Sequence, residues 1–199
     1  MGSTCASFHI LWRGNSAVAA KAISRAYTKL GYARTKPAPA EGGKHVTLLV
    51  RDGEPYVSIY DSTSTDLDSG ELKDAALAAS KLLRTGAVFT SLYDSDSYEF
   101  VVFNNGRQVD MLMSEMESYS GPLQQLSARS RITQWGKIFA KPQTAAGIEH
   151  AINPRTPFAN DTLAELCGLI GLPATARKCT TATAGTSRTP LHCTLPRKR

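Results

Sequence analysis

Hydrophobic positions near the start of the chain alternate with other residues: Phe8, Ile10 and Trp12 interleave with His9, Leu11 and Arg13, which predicts a strand ending at Gly14. The spacing then becomes helical. Val18, Ala19, Ala22, Ile23, Ala26, Tyr27 and Leu30 recur along one face, Asn15 or Ser16 suits the N-cap, and Gly31 suits the stop. Lys21, Arg25 and Lys29 fall on a separate basic stripe of the same helix, and residues 37–43 read as a Pro/Gly loop.

Alternation returns over 45–51 and 55–61, which predicts a hairpin around Asp52-Gly53 with Pro55 at a strand start or edge. Asp68 and Glu71 have capping-box spacing for a second helix, whose buried face is Leu72, Ala75, Ala76, Ala79, Leu82 and Leu83 and which Gly86 ends. Strands are expected over 87–93, 97–103 and 107–113, turned at Asp94-Ser-Asp96 and Asn104-Asn-Gly106. The order β-α-β-β-α-β-β-β predicts an α+β fold, a ferredoxin-like sandwich with both helices on one sheet face, over residues 1–119.

Residues 120–173 read as a helical appendage. One short helix over 132–139 carries Trp135 and Phe139 with Gly136 inside it. Another starts at Thr156-Pro157, turns Ala159, Leu163, Leu166, Cys167 and Ile170 inward, and stops at Gly171-Leu-Pro173. Residues 174–199 hold no acidic residue and little apolar surface, and are expected to be a flexible basic tail.

One phrase occurs twice, Gly53-Glu-Pro-Tyr-Val-Ser-Ile-Tyr-Asp-Ser62 and Gly86-Ala-Val-Phe-Thr-Ser-Leu-Tyr-Asp-Ser95. Were the two strands neighbours, Asp61 and Asp94 would converge at one sheet end, where carboxylates suit a divalent cation or acid–base chemistry. Turn and cap roles account for the same acids more simply. Tyr60 and Tyr93 occupy matched places and are candidate pocket residues, with packing at a sheet edge as the alternative. The serines of the phrase lack a nucleophile-elbow pattern, and His9, which a strand could bring across the sheet from them, is expected to be structural or solvent-exposed.

The formal charge of +6 is uneven: residues 1–120 carry 12 Lys/Arg against 14 Asp/Glu, and residues 121–199 carry 11 against 3. A nucleic-acid groove across the core is therefore not expected, whereas an anionic partner for the basic segments is compatible. No dinucleotide or Walker loop occurs, and no apolar run suggests a transmembrane segment. The polar start is unlike a secretory signal, and Ala6 stands where a myristoylation pattern wants Ser or Thr, so a cytoplasmic setting is expected. Cys5, Cys167, Cys179 and Cys193 lack close metal-ligand pairs. Free thiols are expected, with no metal and no cofactor.

The favoured function is a non-catalytic protein-interaction or scaffold module, with Tyr60, Asp61, Tyr93, Asp94, Trp135 and Phe139 as binding residues and a protein as partner. Two alternatives stand beside it. One is a metal-assisted hydrolase at Asp61/Asp94. The other is an anion- or RNA-binding domain using Lys21, Arg25, Lys29, Arg197, Lys198 and Arg199 on nucleic acid or an anionic surface.

Overall fold

A computed structural model describes residues 5–34, 43–50, 55–61, 70–94, 96–114, 128–139, 147, 150, 159–172 and 188–194. The elements run β1 (Cys5–Leu11), α1 (Ser16–Lys29), β2 (Ala33–Arg34), β3 (Gly43–Val50), β4 (Tyr56–Asp61), α2 (Gly70–Leu83), β5 (Gly86–Tyr93), β6 (Ser97–Asn104), β7 (Arg107–Met113), α3 (Ala128–Ile138), α4 (Ala159–Leu169) and β8 (Arg188–Thr194). The chain is α+β. Every described strand pair is antiparallel, and the sheet order is β2-β8-β3-β4-β1-β5-β6-β7.

That order differs from the sequence expectation by two strands. Ala33–Arg34 forms the short β2. Arg188–Thr194, within the segment expected to be a flexible tail, forms β8 and inserts between β2 and β3. Low overall hydrophobicity of residues 174–199 concealed a local Thr-Pro-Leu-His-Cys-Thr run whose β-branched and apolar residues suit a pleated ladder.

Strand periodicity divides the core in two. Ala6, Phe8 and Ile10 of β1, with Val57, Ile59, Ala87, Phe89, Val101 and Phe103, meet the apolar stripes of α1 and α2 on one face. Val88, Leu92, Phe100, Val102 and Leu112 meet Trp135, Phe139, Leu163, Leu166 and Ile170 of the C-terminal helical region on the other. The helical segment is thus part of the core. Trp135 is fully buried, and Phe139, Leu163, Leu166 and Ile170 are buried too, so they form no exposed docking face.

A polar clamp fixes α3 to β7. The buried Asp110 carboxylate accepts from Arg131 Nε at 2.5 Å and Nη2 at 3.2 Å, from Trp135 Nε1 at 3.0 Å, and from the Met111 amide at 3.0 Å. Four donors compensate a charge that would otherwise be costly in an apolar interior. A further tie is the Tyr56 hydroxyl, which donates to the Ile170 carbonyl at 2.6 Å.

Candidate functional site

The copies of the twin phrase form β4 and β5, which flank β1 and do not pair with one another. They also sit out of phase with the sheet. Tyr60 meets His9 edge-on, with ring centroids 6.3 Å apart, on the face that carries Val88 and Leu92. Tyr93 follows Leu92, so alternation turns it to the opposite face, where it is 52% exposed. The matched tyrosines therefore line no common pocket.

Asp94 adopts φ 47 in a turn closed by the Asp96 amide donating to the Tyr93 carbonyl at 3.0 Å. Asp61 ends β4, opposite Val46 in the ladder. Among the described residues, no group of three His, Cys, Asp or Glu side chains is placed to hold a metal. Asp68 and its capping box, and Arg197, Lys198 and Arg199, lie outside the described residues. Lys21, Arg25 and Lys29 are exposed along α1, away from the buried face of that helix.

The cysteine expectation needs correcting. Cys5 is disulfide-bonded, whereas Cys167 is a buried thiol outside any disulfide. Sequence spacing does not reveal a bridge closed by tertiary folding, and a disulfide sits uneasily with the expected cytoplasmic setting because reducing compartments disfavour it.

On the sheet face shared with α3 and α4, β1, β4 and β5 assemble a buried polar cluster. Ser7 Oγ lies 3.0 Å from His9 Nε2 and 3.0 Å from Thr90 Oγ1, and His9 Nδ1 lies 2.9 Å from Ser58 Oγ. Burial pushes the His9 pKa from 6.5 down to about 3, so the imidazole is neutral at physiological pH. His9 and Ser58 do meet across the sheet. With no carboxylate among these contacts and the ring fully enclosed, the arrangement satisfies buried polar groups and does not expose a nucleophile.

An open cleft of about 500 Å³ occurs instead at the other end of β1. Trp12 and Arg13 come from the turn into α1, Arg84 from the turn after α2, and Lys137 and Ile138 from the end of α3. Three exposed cations thus surround it, and its described lining contains no carboxylate. Asn15 holds the first turn in shape: its side chain accepts from the Ala17 amide at 2.7 Å, while its carbonyl accepts from Trp12 Nε1 at 3.0 Å. Thr85 ties the second turn to β1 by donating its hydroxyl to the Leu11 carbonyl at 2.7 Å.

The end of α2 is chemically unusual. Three helices here close with the same backbone pattern, in which an amide two or three residues past the last helical residue reaches back five positions: Tyr32 to Tyr27 at 3.0 Å, Thr85 to Ser80 at 3.2 Å, and Leu172 to Cys167 at 2.9 Å. The residue just before each of those amides is left-handed. Two are glycines, Gly31 at φ 92 and Gly171 at φ 79; the third is Arg84 at φ 52. A side chain there costs about 1 kcal/mol that glycine avoids.

Gly86, expected to stop α2, has another role. A Cβ on it would come within 2.4 Å of Ile138 Cγ2, so its bareness lets the end of α3 close over β5. Sequence reasoning missed the cleft because its cations are scattered at positions 13, 84 and 137. The one local signal was an Arg directly after the last apolar position of a helix, where glycine is the usual residue. No family model, curated protein or solved structure matches the chain.

Proposed function

We infer that this protein is a non-catalytic module that binds an anionic partner through the cleft bounded by Arg13, Arg84 and Lys137. The conformation of Arg84 carries the reading. Cations near helix C-termini have a local explanation, since they complement unpaired carbonyls, and that explanation covers Lys137. It does not explain an arginine held in the left-handed region at a helix end that lines this cleft. A strained residue retained at a concave cationic surface points to a task for its side chain.

This reading narrows the interaction-module expectation to a partner selected by charge and not by an apolar patch. Among the described residues the exposed large hydrophobics are Val18 and Tyr93, which supply no broad apolar surface. A ferredoxin-like reading of the scaffold draws support from the order β3-β4-β1-β5, in which β4 separates β1 from β3 and β1 separates β4 from β5.

Calorimetric titration with inorganic pyrophosphate at low salt tests the function. Charge-assisted hydrogen bonds contribute roughly 1.5–3 kcal/mol each, so Arg84→Glu should weaken binding at least about tenfold. Added salt should weaken it further. Equal affinity of wild type and Arg84→Glu would remove the reading.

A further inference from the structure

This inference rests on the anion-binding reading and names the ligand. We propose that the cleft takes a nucleotide, with its phosphate held by Arg13, Arg84 and Lys137 and its base laid against Trp12. The size of the cleft suits such a ligand. A cleft of about 500 Å³ falls in the usual range for small-molecule sites. It far exceeds the ~30 Å³ that one water occupies in the liquid, so a bare oxyanion leaves most of it unfilled.

The wall of the cleft combines cationic side chains with an aromatic residue. Arg13 and Arg84 offer planar guanidinium forks that match phosphate oxygens, and Lys137 adds a point charge. Trp12 adjoins Arg13 in sequence, packs partly buried against the α1–α2 core, and belongs to the same lining. This combination of cations with an aromatic face is the one that recognises nucleotides, because every base has a π-face to stack.

Trp12 is also held in place by its neighbours. The indole N–H is committed to the Asn15 carbonyl, and Gly14 lies so close to the ring that a Cβ there would stand 2.7 Å from Trp12 Cζ2. A ring pinned in this way loses little freedom when a base stacks on it. Ile138 and Leu83 add apolar wall to the same cleft. Stacking without edge-reading groups gives weak discrimination among bases.

Calorimetry with four probes tests the proposal: AMP, ribose 5-phosphate, pyrophosphate and a short single-stranded oligonucleotide. AMP should bind roughly five- to hundredfold more tightly than ribose 5-phosphate, the range a stacked base contributes. Trp12→Leu should abolish that preference and leave ribose 5-phosphate binding unchanged, whereas Trp12→Phe should keep part of it. Arg84→Gly should weaken both ligands. Stronger binding of the oligonucleotide than of AMP identifies a nucleic-acid strand as the source of the nucleotide; equal binding identifies the free nucleotide. Equal wild-type affinity for AMP and ribose 5-phosphate, or an AMP preference insensitive to both Trp12 substitutions, overturns the nucleotide proposal while the anion reading stands. No binding of AMP, ribose 5-phosphate or pyrophosphate overturns both.

Discussion

His9 makes the stability of this fold depend on pH in a way that can be isolated. In the unfolded chain the imidazole titrates near 6.5, and in the folded protein burial lowers that value to about 3. Between those values the unfolded state binds the extra proton. The contribution is therefore fully present above pH 6.5 and is lost as pH falls toward 3. The hydroxyls of Ser7 and Ser58 can accept hydrogen bonds from an imidazolium, so desolvation, not hydrogen-bond geometry, opposes the charged form. Each pH unit is worth about 1.36 kcal/mol. Over pH 6.5 to 5.0, above the range where most carboxylates titrate, His9 should remove about 2 kcal/mol. Urea unfolding at closely spaced pH values measures this directly. His9→Gln, which keeps hydrogen-bonding capacity without the titration, should show a shallower fall than wild type by that amount. Identical slopes in the two proteins would refute the buried, neutral His9.

Other consequences concern packing and backbone. Asp110→Ala should cost about 3–5 kcal/mol in chemical denaturation, because it leaves the Arg131 guanidinium buried without its carboxylate. Gly136 lies inside α3, where an added Cβ would meet nothing within 4 Å, so Gly136→Ala should raise stability by about 0.5–1 kcal/mol. Gly86→Ala should instead lower the melting temperature, since the new methyl meets Ile138. Arg84→Gly should stabilise the fold by about 0.5–1 kcal/mol while weakening anion binding, an opposition that a purely structural Arg84 would not produce.

Local rules carried far in this chain because local and tertiary preferences agree. Asn15 caps α1, Gly31 and Gly171 take the left-handed positions expected of helix stops, and Asn105-Gly106, at φ 52 and 75, turns the β6–β7 hairpin as its sequence predicts. Periodicity also placed Trp135 and Phe139 on a helix. It could not say that their face meets the sheet, because an apolar stripe looks the same whether it packs internally or docks a partner. The twin phrase misled for a related reason. Identical letters at strand exits carry no information about phase, and a three-residue offset in their register on β1 sends Tyr60 and Tyr93 to opposite faces. β8 depends on pairing with β3 far along the chain, which no local window records.

The cleft was illegible for the deepest reason: Arg13, Arg84 and Lys137 become neighbours only after two turns and a helix end converge. An amide NMR titration with pyrophosphate, comparing wild type with Arg84→Gly, probes it without intermediaries. Saturable shifts should concentrate at residues 12–14, 83–85 and 137–139, and should be much reduced in the variant although the variant is the more stable protein. Shifts centred on Lys21, Arg25 and Lys29, or an unaltered response in Arg84→Gly, would show that the cleft is not the anion site.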